Sequence, residues 1–189
     1  MRKPTWVAVV FLLLPVSLLA QSTPKADLSL GYSYLRIEEI DLHGWNISLA
    51  GRINKNLAMV ADASGHYNSE QQTIGGNSFS SDLRLHTFLG GPRVSETVAG
   101  KFTPFVHALF GVSRVSSSSD ARISGGSSAS VENADTGFAM ALGGGFDIKA
   151  SDKVSIRLIQ GDFFLVRPDG VKTEGARLTA GIVLHIGGR

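Results

Sequence analysis

The sequence predicts an all-β chain: eight antiparallel strands closed into an up-and-down transmembrane β-barrel behind a cleaved leader. Three observations predict it. Stretch after stretch alternates apolar and polar residues with period two, the repeat of a ribbon whose side chains point to opposite faces. The last such stretch, Ala176 to Ile186, is long for a soluble strand and matches the roughly 9–11 tilted residues that cross a bilayer. Lys and Glu are kept out of the alternating stretches altogether.

The chain opens with Arg2 and Lys3, then an apolar run from Trp6 to Ala20, then Ala20-Gln21-Ser22 with small residues for a signal peptidase. Residues 1–22 are therefore read as a leader and residues 23–189 as one barrel domain. Without Arg2 and Lys3 the remaining basic residues equal the 16 acidic ones, so the pI near 9.0 partly reflects the leader. No basic patch asks for nucleic acid. The absence of cysteine excludes disulfides, thiolate zinc sites and cysteine nucleophiles.

The first strand is expected from about Ala26 to Arg36, with Ala26, Leu28, Leu30, Tyr32 and Tyr34 opposite Asp27, Ser29, Gly31 and Ser33. A loop through Glu38, Glu39 and Asp41 leads to Gly44–Ile53, where Trp45, Ile47 and Leu49 oppose Asn46, Ser48 and Arg52. Asn54-Lys55-Asn56 has hairpin chemistry. Leu57–Tyr67 sets Met59, Ala61, Ala63 and Tyr67 against Asp62, Ser64 and His66. After a polar loop, 68–77, the strand Phe79–Gly90 sets Leu83, Leu85 and Leu89 against Asp82, Arg84 and His86.

A connection over Pro92–Phe102 precedes Pro104–Arg114, whose inward face would hold Phe105, His107, Leu109 and Gly111. Val115–Ala134, rich in Ser and Gly, reads as a mobile loop. Thr136–Ile148 alternates Phe138, Met140, Leu142, Phe146 and Ile148 with Ala139, Ala141, Gly143, Gly145 and Asp147. Val154–Val166 begins in phase and loses it at Ile159-Gln160-Gly161-Asp162; a β-bulge would return Asp162 to the interior. The loop Arg167–Gly175 leads to the closing strand. Loops of about 7, 11, 20 and 9 residues then alternate with shorter turns, except at Pro92–Phe102.

Alternation alone does not say which face is inside, because a soluble lipid-carrying barrel alternates too. Charge placement decides. Lys25, Lys55, Lys101, Lys149, Lys153 and Lys172 fall in turns or flanks, and every Glu falls in a loop. The polar faces instead carry small residues with Asp, Arg and His. Asp27, Asp62, Asp82 and Asp147 are expected to pair inside with Arg52, Arg84, Arg157 and Arg177. Turning four arginines to lipid would cost on the order of 10 kcal/mol. Tyr34, Trp45, Tyr67, Phe138 and Phe164 would form an interfacial girdle.

These features resemble the small eight-stranded outer-membrane barrels typified by the OmpA membrane domain and OmpX. The resemblance covers Ala26–Ile186 and rests on leader, strand count, alternation and loop asymmetry. The chain departs from it by ending Ile186-Gly187-Gly188-Arg189 instead of on an aromatic, and by leaving no length for a peptidoglycan-binding domain. It implies the outer membrane of a Gram-negative-type bacterium, contact with outer-membrane lipid and the barrel-assembly machinery, and a monomer.

The expected function is a structural or surface-interaction role in the cell envelope, with no enzyme activity, cofactor or metal and an unknown extracellular partner. His66, His86, His107 and His185 fall on inward faces of separate strands without ligand spacing, so no metal site is expected. The His-x-Ser pattern of lipid A deacylases is missing: His107 is followed by Leu109, His86 by Phe88, and His66 by Asn68. The competing readings are a narrow ion-conducting pore, a lipid A-modifying barrel enzyme and a secreted lipid-binding barrel.

Overall fold

The structure is a computed structural model that describes residues 26–74, 77–122, 128–170 and 172–187; the leader assigned to residues 1–22 lies outside them. Eight strands follow in order: β1 (Ala26–Ile37), β2 (Ile40–Arg52), β3 (Leu57–Ile74), β4 (Asn77–Ser95), β5 (Phe102–Arg122), β6 (Ser128–Lys149), β7 (Val154–Arg167) and β8 (Thr173–Ile186). Each pairs antiparallel with the next, and β8 returns to β1 from Ala26↔Ile186 to Ile37↔Gly175, closing the barrel. Closure leaves no open edge within the ring, which is the condition for crossing hydrocarbon.

The strands are strongly staggered. A row of partners leaving Leu28 passes Leu49, Ala61, Gly90, Phe110, Met140 and Leu165 and reaches Glu174. Glu174 sits beside Gly175, whose partner Ile37 is at the far end of β1. Such stagger is the geometric counterpart of strand tilt. Side-chain polarity is inverted relative to a soluble barrel: Leu49, Phe88, Val106, Phe110, Ile156 and Ile182 are exposed outside, while Asp27, Asp62, Arg157 and Arg177 are buried inside.

The turns at one end are short and locally coded. Asn54 Oδ1 accepts from the backbone N–H of Asn56 (2.9 Å) and Leu57 (2.8 Å), an Asx turn joining β2 to β3. Ser151 Oγ accepts from the N–H of Lys153 and Val154 between β6 and β7. Glu96–Lys101 joins β4 to β5 at the same end, so the misfit long connection read over Pro92–Phe102 disappears once β4 runs on to Ser95 and β5 begins at Phe102.

At the opposite end the strands, not the loops, are long. β3 and β4 stay paired to Ile74↔Asn77, and β5 and β6 to Arg122↔Ser128. The loops expected at 68–77 and Val115–Ala134 are thus mostly strand; of the serine-rich stretch only 123–127 lies outside the described residues. β1 and β2, by contrast, turn at Glu38-Glu39 with Ile37 already paired to Ile40. The barrel therefore has a tall wall, β3–β6, and a low wall.

Two phase results decide what faces the lumen. The bulge in β7 falls where the alternation breaks: Phe146 pairs with Ile159 and Asp147 with Arg157, so Leu158 is the extra residue. Both Leu158 and Ile159 then face outward, and Gln160, Asp162, Phe164 and Val166 face inward. Phe164 is fully buried, which corrects its assignment to the girdle.

β4 is also corrected. Asp62 pairs with Leu89 and His66 with Leu85, and directly opposed residues share a face. Leu85, Thr87, Leu89 and Arg93 therefore point in, and Asp82, Arg84, His86 and Phe88 point out, the reverse of the reading from sequence.

Candidate functional site in the barrel lumen and at its outer rim

The end of the lumen near Ala26 and Ile186 is filled by ions. Asp27 on β1 accepts from Arg52 Nη2 (3.0 Å), Arg93 Nη2 (3.2 Å) and the His185 imidazole (2.7 Å). Asp147 accepts from Arg157 Nε at 2.9 Å and Nη2 at 3.2 Å, a two-point contact that fixes the guanidinium plane. The Phe105 ring lies beneath both Arg93 and Arg157, whose Cζ atoms are 5.3 and 4.7 Å from its centroid. Each guanidinium is drawn to the negative face of the ring.

Further up, Asp162 accepts from His107 Nε2 (2.7 Å), Gln160 Nε2 (2.9 Å) and Arg177 Nε (2.9 Å). Arg177 Nη1 donates to Asp62 (3.0 Å), and Asp62 also accepts from Asn46 (2.8 Å). Room for Asp162 comes from Gly143 opposite it, where an added Cβ would lie 2.3 Å from Asp162 Oδ1. Among the described residues, Asp27, Asp62, Asp147 and Asp162 are thus balanced by Arg52, Arg93, Arg157 and Arg177.

Six of the eight residues expected in this network, Asp27, Arg52, Asp62, Asp147, Arg157 and Arg177, meet there. Asp82 and Arg84 do not; they stand on the outward side of β4. Arg93 takes Arg84's place. It lies inside the expected connection, although Leu85, Thr87, Leu89, Gly91 and Arg93 follow one unbroken period of two. Of the four histidines expected on inward faces, His66 and His107 are buried inside, His185 sits at the mouth and His86 faces outward.

The other end of the lumen is apolar. Leu35, Leu42, Leu85, Phe164 and Val166 are buried against one another, with Ile37, Leu83 and Val115 packed on them. Phe164 also carries Arg177, whose Cζ lies 5.4 Å from the ring centroid, so the plug rests directly on the ion network. This plug, like Arg93, had no counterpart in the sequence reading, which placed Phe105 and Leu109 inside but left the other inward faces polar or small.

One lumen contact has the wiring of a hydrolase. Ser155 Oγ lies 2.8 Å from His185 Nε2, and His185 Nδ1 lies 2.7 Å from Asp27. Acyl transfer needs in addition a reachable hydroxyl and N–H groups aimed at a developing oxyanion. Ser155 is 5 % exposed and is itself paired on both sides, with Lys149 on β6 and Val183 on β8. Asp27 is already shared with two arginines. The arrangement is a strand-to-strand clasp at the lumen mouth.

Outside, near the turn of β1 and β2, an aromatic and basic rim forms. Trp45 Nε1 donates to Tyr67 Oη (3.4 Å), which lies 3.1 Å from His86 Nε2. The indole and phenol cross Gly65, where a Cβ would lie 2.8 Å from Trp45 Nε1 and 2.9 Å from Tyr67 Oη. Tyr32 reaches His43, and Tyr34 donates to Asp41 (2.6 Å). His86 is paired with Arg114 on β5, and Tyr67 with Arg84 on β4.

No protein-family model and no curated protein sequence matches the chain. Solved structures do. Ail, the attachment invasion locus protein of Yersinia pestis, solved with the heparin analogue sucrose octasulfate, superposes with a TM-score of 0.58 at 16% identity, over 85% of this chain and 98% of that one. The outer membrane protein OprG of Pseudomonas aeruginosa superposes with a TM-score of 0.51 at 8% identity, over 88% and 98%. The chain shares the eight-stranded fold of these outer-membrane barrels.

Proposed function

We propose that the protein is a monomeric outer-membrane barrel of a Gram-negative-type envelope, closed to metabolites and without enzyme activity, which raises a sheet above the bilayer for surface interaction. The observation that carries this reading is the tall wall. β3 leaves β2 behind at His43↔Tyr67, so Asn68–Ile74 has a free edge. β6 leaves β7 behind at Phe138↔Arg167, and among the described residues the part of Ser128–Gly137 that the short helix Pro168–Gly170 does not cover has another. Unpaired strand edges are templates for an added strand from a partner.

The wall also carries a hollow of about 420 Å³ lined by Glu70, Phe79, Ser81, Ser119 and Val131, with Phe79 and Val131 exposed. An exposed apolar pair rimmed by polar groups is a surface suited to contact. The filled lumen supports an anchoring role over a pore, since an eight-stranded interior is just wide enough for side chains. Contact with outer-membrane lipid and delivery by the barrel-assembly machinery belong to the same reading.

Planar-bilayer recording on refolded protein tests the closed lumen, and replacing 69–81 and 117–133 with short turns tests the wall. No discrete channels, together with a shortened variant that keeps heat-modifiable gel migration and loses surface binding, is the expected result. Unitary currents, or a shortened variant that no longer forms a barrel, would overturn it.

A further inference from the structure

The corrected phase of β4 puts Asp82, Arg84 and His86 on the outside of the barrel, beside the outward Arg114 of β5, just above an apolar outer surface. Arg84 and Arg114 are both exposed and stand on adjacent strands. Arg84 pairs with Ser116 and Arg114 with His86, so the two arginines are diagonal neighbours within reach of each other. Below them on the same outward face are Phe88, Val112 and Phe138, each 47–62 % exposed. Beside them are Tyr67 and Trp45, residue types that settle at the headgroup level of a bilayer.

Asp82 shares this outward face two positions from Arg84, but no close ion pair joins it to either arginine among the described residues. The outward ion pairs among the described residues are Arg36 with Asp41, Lys149 with Asp152 and Lys172 with Glu174. None reaches Arg84 or Arg114. Two neighbouring guanidinium groups at the edge of hydrocarbon repel each other, and neither is in a close ion pair with a protein carboxylate. A guanidinium fork matches phosphate oxygens at two points, and it is more weakly hydrated than an ammonium.

We infer that Arg84 and Arg114, with His86 between them, form a clamp for the phosphate of a membrane lipid, whose acyl chains lie on Phe88, Val112 and Phe138. The occupant is a lipid because the cations continue upward from that apolar surface. A free anion would use the guanidinium groups and leave the apolar surface idle. The inference rests on the membrane placement proposed above.

The test uses full-length protein refolded into phosphatidylcholine vesicles containing phosphatidic acid, with retained lipid counted by native mass spectrometry after detergent extraction. Wild type is expected to retain phosphatidic acid over phosphatidylcholine, and R84Q/R114Q to lower that preference about tenfold. R36Q, which alters an arginine already paired with Asp41, is expected to leave the preference unchanged. Added inorganic phosphate is expected not to displace the lipid. Equal retention by R84Q/R114Q, an equal loss in R36Q, or displacement by inorganic phosphate would each overturn the clamp. Failure of wild type to insert into vesicles would instead strike the membrane reading itself.

Discussion

The two ends of the lumen are sealed by opposite chemistries. Toward the chain termini the inward positions hold carboxylates and guanidinium groups tied by contacts of 2.7–3.3 Å. Toward the β1–β2 turn the same inward register holds Leu35, Leu42, Leu85, Phe164 and Val166. Outer surfaces change in the opposite sense, from Leu28, Val106 and Ile156 at one level to His43, Arg84 and Arg114 above. Polarity thus crosses over along the barrel. A strand that passes from hydrocarbon into the interfacial zone is free to be polar outside and apolar inside.

The ion layer is the less forgiving of the two. R177M leaves Asp62 and Asp162 buried without their guanidinium partner, and the cost of breaking such a pair is about 3–5 kcal/mol. Urea titration of the refolded protein in vesicles measures it. Adding D62N and D162N to R177M is expected to recover part of the loss, because no uncompensated charge remains. In the apolar layer, L85A is expected to cost about 2–3 kcal/mol, within the usual range for a leucine cavity. The open outer mouth lets the plug relax around the gap. An L85A loss equal to that of R177M would erase the distinction.

The bulge sharpens the comparison, because it decides which β7 residues join each layer. Deleting Leu158 leaves Arg157, Ile159 and Gln160 in plain alternation against Gly181, Ala180 and Thr179, so the barrel is expected to refold at a cost of about 1 kcal/mol or less. Deleting Phe163 instead turns Phe164 toward lipid and is expected to abolish heat-modifiable migration. Smaller still is the clasp at the mouth: a fluorophosphonate probe is expected to leave Ser155 unlabelled, and labelling lost in S155A would revive the hydrolase reading.

The smallest effect belongs to an exposed turn. Lys149, bonded to Asp152 at 2.7 Å, holds that carboxyl below its ordinary value. A depressed carboxylate stabilises the fold above its unfolded pKa, and the contribution fades as pH falls through the acid range. Asp152 is open to solvent, so D152N is expected to leave the urea midpoint at neutral pH unchanged.

What could be read from the sequence follows the same crossover. β1, β2, β3, β6 and β8 announce their inward faces because, within the hydrocarbon zone, one face is aliphatic and the other small or ionic. β4 does not. Its even positions run from Asp82, Arg84 and His86 to Phe88, and its odd positions mix Leu83, Leu85 and Leu89 with Thr87 and Arg93, so neither face keeps one character. Judged on its first half alone, it reads inverted. The pairings of Asp62 with Leu89 and of His66 with Leu85 fix it.

The tall wall was illegible for a different reason. Ser116 to Ser119 are the same small polar residue on both faces, so period two leaves no trace in composition although the backbone stays paired. Phe164 was misassigned because a bulge shifts every residue after it. An inward Asp162 already required an inward Phe164.

The most direct test of the crossover is a cysteine scan of β4 from Arg84 to Leu89, which the absence of native cysteine permits. Each single-cysteine variant, carrying an environment-sensitive fluorophore, is refolded in vesicles that contain a lipid-soluble quencher. The account predicts quenching at 84, 86 and 88 and protection at 85, 87 and 89. The reverse alternation would put Arg84 back in the lumen, removing the leucine plug and the lipid clamp together.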